Sequence, residues 1–244
     1  VPRWAINAWL SSSFFIIMSE LKAFKNADIS NEEELQNPFI ALNRWLDEAK
    51  SMKIKNYNTV SFATVDRDGH PDARQMLIKE IDEKTGSLVF YTNEHSAKGK
   101  ELEENPFVAL NGYWGSLDRS FRIKGQAEFV SEKESDEYWN TRSLDAQVSA
   151  AISEQGSELT SKDEFARKFA EEKAKAKGGK IPRPSHWHGY RVYASSIELW
   201  YEGSEEARVH NRIEWDRTIN RKGNNISDVA GFDLGSWSYK YLQP

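Results

Sequence analysis

TVSFATVDRDGHPDARQMLIKEIDEKTGSLVFYT, residues 59–92, decides the fold class of this 244-residue chain. Three strand-like runs at 59–65, 73–81 and 87–92 are separated by the turn signals DRDG and EKTG, which is typical of an antiparallel meander. PFVALNGYW at 106–114 and SFRIKGQAEFV at 120–130 extend it to five strands. Connections this short leave little room for crossover helices, so we expect a closed or partly closed barrel rather than a doubly wound sheet.

Helical signals surround these strands. Asn37 as an N-cap and Pro38 at the first helical position precede an apolar pattern that predicts a helix to about Lys53. SAKGKELEE, residues 96–104, predicts a helical insert. Two capping boxes predict helices after the fifth strand: Ser131 with Glu134, and Ser161 with Glu164.

Strand character returns in the last quarter of the chain, in WHGYRVYAS, SIELWYEG and RVHNRIEWDR. We expect GNNISDVAGFDLG, residues 223–235, to be a surface loop and SWSYKYLQP to be a final aromatic strand or tail. Because no repeat or low-complexity joint divides the rest, we predict one domain at 37–244, preceded by an N-terminal extension or arm at 1–36 that is partly disordered. The fold class is mainly β with helices (α+β).

Composition restricts the function classes. With 33 Lys and Arg against 38 Asp and Glu, the net charge of −5 disfavours a nucleic-acid partner without excluding local anion pockets. The chain has no cysteine, which excludes disulfides, thiolate metal sites and cysteine nucleophiles and permits a cytoplasmic location. We expect a structural role, not a metal site, for the histidines of HWH at 186–188.

The first residues need a separate interpretation. The apolar stretch WAINAWLSSSFFIIM is interrupted by serines and shorter than a membrane helix requires, so we expect no membrane partner. Met18, followed by SELKAF, resembles a natural start, and residues 1–17 are interpreted as an upstream extension.

RVHNR, residues 208–212, places three cations at alternate positions. If the segment is a strand, Arg208, His210 and Arg212 share one face and can hold an anion; an ordinary solvated strand face is the alternative. Arg74 and Lys79, five apart, lie on opposite faces of a regular strand. A ligand shared by those two needs a bulge, a strand end, or approach from two directions at a subunit interface.

Two further groups offer phosphate chemistry. Thr92, Ser96 and Lys98 stand where a strand leads into a helix N-terminus, which can cradle a phosphate or can simply be a capped surface helix. Tyr138 and Arg142, four apart on a helix, can grip one phosphate, although a packed Tyr138 with a solvated Arg142 is the alternative. Neither a GxGxxG nor a P-loop motif is present.

The order of these motifs is more specific than any one of them. R-x-x-L-x-K, FYTN with S-x-K, Y-x-x-x-R, W-H-G-Y, E-L-W and R-x-H-x-R follow one another between Asn37 and Pro244, and the series resembles the pyridoxamine 5′-phosphate oxidase family. The resemblance implies a split β-barrel homodimer with FMN at the subunit interface. It also implies oxidation of pyridoxamine or pyridoxine 5′-phosphate, a phosphorylated pyridine, to pyridoxal 5′-phosphate, with dioxygen reduced to hydrogen peroxide.

The same resemblance implies the site residues. Positions matching flavin contacts are Arg74, Gln75, Met76, Leu77, Ile78, Lys79, Tyr91, Thr92, Lys98, Gln155, Trp200 and Arg212. Lys79, Tyr138 and Arg142 match residues that hold the substrate phosphate. Arg208 and His210 match residues beside the reacting ring, and we expect them to be catalytic.

Four positions depart from the family pattern. Ala97 replaces an Arg, Ser120 a Gln, Gly156 a Ser, and Ala146 a Ser that touches the substrate phosphate. Three of these changes fall on the flavin side, and loss of the Arg alone is expected to weaken FMN binding about tenfold to a hundredfold. Two alternatives therefore remain: a non-catalytic paralogue that binds pyridoxal phosphate or another planar ligand, and a related flavin oxidase acting on another ring, such as the phenazine-forming relatives.

Overall fold

The computed structural model of the chain describes residues 28–176, 179–203 and 210–244. Helices in these ranges are α1 (Glu32–Gln36), α2 (Pro38–Ser51), α3 (Ala97–Glu104), α4 (Glu132–Thr141), α5 (Leu144–Ile152) and α6 (Lys162–Lys175), with a 3-10 helix at Ile226–Asp228. The strands are β1 (Thr59–Val65), β2 (Pro71–Leu77), β3 (Glu80–Asp82), β4 (Ser87–Asn93), β5 (Phe107–Trp114), β6 (Arg119–Phe129), β7 (Trp187–Tyr201), β8 (Asn211–Asp216), β9 (Ile219–Arg221), β10 (Phe232–Leu234) and β11 (Ser238–Tyr241).

An antiparallel barrel forms the centre of the molecule. β1 pairs with β2 on one side and β5 on the other, and the pairing continues from β5 through β6 and β7 to β4. β3 pairs with β4 and follows β2 along the chain, so the ring closes where β2 gives way to β3. The expectation of a mainly β, split-barrel fold with flanking helices is confirmed.

The split itself lies at Ile78 and Lys79. The Ile78 amide donates to the Asn58 carbonyl at 2.9 Å, and the Asn58 side chain donates back to the Ile78 carbonyl at 2.7 Å. One residue later, the Lys79 amide donates to the Val89 carbonyl at 2.9 Å. The chain therefore changes its strand partner at this point, and the predicted single strand at 73–81 is wrong. Asn58 supplies the hydrogen-bond partners of the Ile78 backbone N–H and C=O at the break.

The core fills the barrel and the space under α2. Phe62 and Phe90 meet edge to face inside, with ring centroids 5.1 Å apart. α2 begins at the predicted cap, where the Asn37 side chain accepts from the Phe39 amide, and it buries Leu42 and Trp45 completely. Burying each such side chain stabilises the fold by about 1.5–3 kcal/mol.

Other details differ from the sequence-based expectations. Residues 28–36 were assigned to an arm, but Ile29 is buried in the core and α1 follows it; the domain boundary at residue 36 itself stays a prediction. α5 was not predicted because its N-cap, Ser143, is followed three residues later by Ala146 instead of the Glu or Gln of a capping box. α3, α4 and α6 begin after the predicted caps: Ser96, Ser131 and Ser161.

The C-terminal third contains more regular secondary structure than the sequence predicts. WHGYRVYAS and the first six residues of SIELWYEG form one strand, the 15-residue β7. The expected surface loop at 223–235 contains the 3-10 helix and β10, and its apolar residues Ile226 and Phe232 are buried. SWSYKYLQP supplies β11, which pairs with β8. None of the helices in the described ranges is both long enough and apolar enough to cross a membrane.

Candidate active site

Lys98 is the buried cation at the beginning of α3. Ser96 caps this helix by accepting from the Gly99 amide at 3.3 Å, and Lys98 Nζ donates to Ser96 Oγ at 3.1 Å. The same ammonium donates to Thr92 Oγ1 at 3.3 Å and Gln155 Oε1 at 3.2 Å. Burial lowers the pKa of Lys98 below its ordinary 10.5, and the neighbouring charge of Arg74 lowers it further. Since the three hydrogen-bond partners of the Lys98 ammonium are neutral, the arrangement favours the binding of an anion.

Three aromatic rings form a stack beside this ammonium. Tyr91 packs against both Tyr138 and Trp187, with centroid distances of 3.9 and 5.2 Å and interplanar angles of 17° and 13°, and the Tyr138 and Trp187 centroids are themselves 6.1 Å apart. Lys79 Nζ lies 5.9 Å from the centre of the Tyr138 ring, and the Arg142 guanidinium lies 4.9 Å from that of Trp187. Two of the three rings, Tyr138 and Trp187, therefore each have a cation close to the ring, which ring quadrupoles favour.

Arg142 follows α4 directly and has unused donors. Its Nη2 donates to the Ala146 carbonyl at 2.9 Å, while its buried Nε has no hydrogen-bond partner in the described part of the chain. Burial lowers the pKa of Arg142. A half-buried guanidinium with an unsatisfied N–H is suited to bind a phosphate or carboxylate.

A cavity of about 380 Å³ joins these groups. Its lining residues come from β4, α5, the start of β7 and the segments after α4 and α5: Tyr91, Thr92, Asn93, Arg142, Ala146, Ser149, Ala150, Ser153, Gln155 and Trp187. The structure thus brings together Tyr91, Thr92, Lys98, Arg142 and Gln155, which are far apart in sequence. Its walls combine an aromatic face with hydroxyls, amides and the Arg142 guanidinium, and Lys98 contacts the lining residues Thr92 and Gln155 from behind, an arrangement that suits a planar phosphorylated ligand.

The predicted positions on β2 are arranged differently. Arg74 pairs with Asp72 at 2.6 Å and with Glu101 at 3.1 Å, and it also donates to Thr64. Its charge is therefore already balanced by carboxylates, unlike that of Lys98.

The neighbours of Arg74 on β2 offer little to a ligand within one chain. The Gln75 side chain donates to Ser61 at 2.9 Å, Met76 packs against the core, and Leu77 is 41% exposed. Ile78 is buried and both its backbone polar groups are bonded to Asn58.

Two further predicted residues, Trp200 and Arg212, line a second cavity, of about 370 Å³. Trp200 and Arg212 are paired across β7 and β8, and Ser120 is paired with Trp200 on the other side. Arg212 Nε donates to Glu198 at 2.8 Å, and Arg122 pairs with the other oxygen of the same carboxylate. The two cavities share no lining residue, so one chain holds the predicted flavin positions in two separate groups.

The cationic row that RVHNR predicted is only partly visible. β8 begins at Asn211, so His210 precedes the strand, and its ring lies 5.0 Å from that of Trp200. Arg208 lies outside the described residues.

Sequence reasoning missed three residues of these cavities. Trp187 belongs to the W-H-G-Y motif, but it was not predicted to line a cavity. Its ring stacks on that of Tyr91 and forms part of the wall of the first cavity. Ser149 lies three residues after Ala146 on α5 and lines the same cavity, which helical spacing alone predicts once α5 is recognised. Glu198, in E-L-W, is the shared partner of two arginines.

The departures from the family pattern occupy distinct places. Ala97 is the first residue of α3, and Ala146 lines the first cavity while Ser120 lines the second. Gly156 has a φ of 95°, in the region that favours glycine, so a serine would strain this backbone. The loop after Gln155 is therefore built around glycine in this chain.

Comparison with known proteins agrees with this arrangement. The model of the pyridoxamine 5′-phosphate oxidase family matches residues 46–176. A pyridoxine/pyridoxamine 5′-phosphate oxidase from Nostoc punctiforme is 38% identical over 208 residues, covering 85% of this chain and 89% of that protein. The chain belongs to the pyridoxamine 5′-phosphate oxidase family. A Caulobacter vibrioides protein of the same name is 40% identical over 182 residues, 75% of this chain and 80% of that protein.

Solved structures extend the family assignment to three dimensions. PhzG from Burkholderia lata, solved with tetrahydrophenazine-1-carboxylic acid, has a TM-score of 0.74 and 28% identity, covering 90% of this chain and 100% of that one. An FMN-binding, oxidase-related protein from Nostoc punctiforme has a TM-score of 0.64, covers 84% of this chain and 96% of that one, and is 17% identical, so it shows the fold alone.

Proposed function

We propose that this family member is an FMN-dependent oxidase that converts pyridoxamine or pyridoxine 5′-phosphate to pyridoxal 5′-phosphate. The observation that carries the proposal is the pair of half-buried or buried cations at the first cavity, Lys98 and Arg142, both with pKa values lowered by burial. Lys98 contacts only neutral oxygens, and Arg142 leaves an N–H unsatisfied. Two anionic groups, one from a cofactor and one from a substrate, would balance these charges.

The residues fit FMN, given the buried ammonium and its polar neighbours. Lys98, Thr92 and Gln155 would hold its phosphate end, with Tyr91 beside it and Arg74 nearby. When bound, FMN supplies a two-electron acceptor that dioxygen reoxidises, with hydrogen peroxide as the product. We also propose that the protein meets its substrates in the cytoplasm.

A homodimer would complete the site. Trp200 and Arg212 match flavin positions but line a cavity separate from that of Lys98 within one chain. A second copy that presents its β7 and β8 to the first cavity would bring both groups of flavin positions to one ligand. That ligand would lie between two subunits, so that Arg74 and Lys79 could approach it from two directions. Glu198 would then orient Arg212, because it accepts from Arg212 Nε.

The substrate would be held by its phosphate. Arg142 offers the guanidinium N–H groups that it does not donate to the Ala146 carbonyl, Tyr138 contacts Tyr91, and Lys79, 5.9 Å from the centre of the Tyr138 ring, adds a second charge. Arg208 and His210 would lie against the pyridine ring and orient it for hydride transfer. The cations that hold the phosphate would fix the position of the pyridine ring without contacting the reacting carbon. This positioning would raise the effective concentration of the substrate ring at the flavin.

A second candidate follows from the likeness to PhzG. A flavin oxidase acting on a carboxylated multi-ring compound would use the same cations and the same aromatic stack. The curated relatives at 38–40% identity favour the pyridoxine substrates. A third candidate, a binding protein that has lost flavin through Ala97, Ser120 and Gly156, differs from both in binding no FMN.

Turnover of the purified full chain with excess FMN tests these candidates together. Oxygen-dependent pyridoxal 5′-phosphate from either phosphorylated substrate is expected, with no turnover of unphosphorylated pyridoxine. Turnover of tetrahydrophenazine-1-carboxylic acid alone would favour the second candidate. Failure to retain FMN, with pyridoxal 5′-phosphate still bound, would favour the third.

A further inference from the structure

Arg183 is a buried cation between α6 and β7 that lines neither cavity of the proposed oxidase site. Its side chain is 7% exposed. Nη1 donates to the Trp187 carbonyl at 2.7 Å, Nε donates to Asp136 at 2.7 Å, and Nη2 pairs with Glu132. Because a planar guanidinium holds its N–H groups in fixed directions, this one side chain connects the start of β7 to α4 in a defined geometry.

The two elements that Arg183 connects carry two rings of the aromatic stack. Tyr138 follows Asp136 by two residues on α4, and Trp187 is the first residue of β7. Their ring centroids are 6.1 Å apart, their planes are 4° from parallel, and both rings contact Tyr91. Stacking holds ring positions only weakly, so the spacing of these rings depends on how α4 lies against β7.

Other contacts also join α4 to β7. Arg191 pairs with Glu134 at 2.5 Å, and the Ser135 hydroxyl accepts from the Gly189 amide at 3.1 Å. Arg183 differs from both because it donates to the backbone of a residue whose ring belongs to the stack. It is therefore the contact through which the position of α4 acts most directly on the rings.

The rings in turn lie against the two cations proposed for the substrate phosphate. The Arg142 guanidinium lies 4.9 Å from the centre of the Trp187 ring, and Lys79 Nζ lies 5.9 Å from that of Tyr138. A shift of α4 against β7 would change the spacing of these cations. Since a misplacement of about 1 Å in a site can cost roughly a hundredfold in rate, that spacing matters for a bound phosphate.

We propose that Arg183 is a positioning residue for the phosphate-binding end of the first cavity. Its guanidinium fixes α4 against the start of β7, and thereby sets the spacing of the rings on which Lys79 and Arg142 lie. The inference rests on the proposed function for the identity of the ligand, whereas the link from Arg183 to the rings does not depend on it.

Steady-state kinetics of the full chain at saturating FMN test this role. Arg183→Met should raise KM for pyridoxine 5′-phosphate about tenfold and change kcat by less than about threefold, because binding of the phosphate is weakened. Arg183→Lys keeps the charge but cannot reach all three partners, so it should recover only part of the loss. Asp136→Asn should act in the same direction, by a smaller factor. Both carboxylate partners are more than half exposed, so water can solvate them and the variants should fold.

A double-mutant cycle shows whether Arg183 acts through the stack. In a Tyr138→Leu background, Arg183→Met should add little further change in KM, since one of the rings that it positions is gone. Lys133→Met is the matched control, because it removes an exposed ion pair with Glu137 on the same helix and should leave KM unchanged.

Near-ultraviolet circular dichroism of the ligand-free protein gives a readout that is independent of the proposed function. Arg183→Met should change the aromatic signal in the same sense as Tyr138→Leu, and Lys133→Met should not. If the natural chain oxidises no phosphorylated pyridine, the proposed function fails and this spectrum alone decides on Arg183. The inference is overturned if Arg183→Met keeps the aromatic spectrum of the natural protein. It is also overturned if, in an active enzyme, this variant keeps its KM or shows the same change in KM with and without the Tyr138 ring.

Discussion

The rings of Tyr91 and Tyr138 lie face to face, with centroids 3.9 Å apart and planes 17° from parallel. Tyr91 belongs to β4, beside Thr92 and the Lys98 cradle, whereas Tyr138 belongs to α4, one turn before Arg142. The contact joins the residues proposed for the cofactor to those proposed for the substrate phosphate. Anything that displaces one ring therefore changes the position of the other.

Replacing the Tyr138 ring should affect both ligands. Tyr138→Leu removes the stacking contact, which contributes about 0.5–1.5 kcal/mol, and we expect weaker binding of FMN as well as of substrate. Tyr138→Phe keeps the ring and should change only substrate binding. Fluorescence titration with FMN separates the two variants, and equal FMN affinities for both would contradict the proposed coupling.

Lys98 is expected to control anion affinity through its charge. Lys98→Met should weaken FMN binding by about 1.5–3 kcal/mol, or roughly tenfold to a hundredfold, because a charge-assisted contact is lost. Lys50→Met, on an exposed residue of α2, is the control. A Lys98→Met protein that binds FMN as tightly as the natural chain would exclude Lys98 from the cofactor site.

The pH dependence of FMN binding follows from the same group. The pKa of Lys98 is lowered by burial, so the folded protein loses this proton at a lower pH than the unfolded chain, whose value is near 10.5. The burial penalty on stability is thus complete below the folded pKa and disappears as pH rises from that value to 10.5. FMN affinity should fall as the pH rises above the folded pKa of Lys98, because the neutral amine no longer balances an anion, and Lys98→Met should abolish that fall in a titration series.

Arg142 and Arg208 should divide the work of substrate binding and orientation. Arg142→Ala should mainly raise KM, because its guanidinium is proposed to hold the phosphate, whereas Arg208→Ala should mainly lower kcat. Arg167→Ala, on an exposed residue of α6 that pairs with Glu171, should leave both parameters unchanged. Steady-state kinetics that show equal effects on KM and kcat in both variants would refute this division.

The break between β2 and β3 depends on Asn58. Asn58→Ala removes the side-chain bond to the Ile78 carbonyl and should destabilise the fold by about 1–2 kcal/mol. Asn220→Ala, exposed on β9, should stay within about 0.5 kcal/mol. Urea unfolding measures both, and an Asn58→Ala protein as stable as the control would show that the break is held by other contacts.

The sequence predicts the barrel because strand periodicity and turn residues are local signals. β1, β4, β5 and β6 lie within a residue or two of their predicted limits. The break at Ile78 was not predicted, since it depends on Asn58, twenty residues away, and on the change of partner to β4. Local patterns carry no information on that long-range pairing.

The candidate site was predictable only as a family pattern. Spacing alone left open whether Lys98 belongs to a phosphate cradle or to a capped surface helix, and whether Arg142 grips a phosphate or is solvated. The fold buries Lys98 and half-buries Arg142. The stack of Tyr91, Tyr138 and Trp187 joins three elements and has no local signature. The carboxylates that pair with Arg74 were also unforeseen, since Glu101 comes from α3.

Anaerobic mixing of the FMN-loaded protein with pyridoxine 5′-phosphate, followed in the visible absorbance of the flavin, tests the proposed oxidation in a single turnover. The oxidised flavin bands should bleach with the phosphorylated substrate, persist with unphosphorylated pyridoxine, and return when dioxygen is admitted. Protein that retains FMN but shows no bleaching with either pyridoxine or pyridoxamine 5′-phosphate would contradict it.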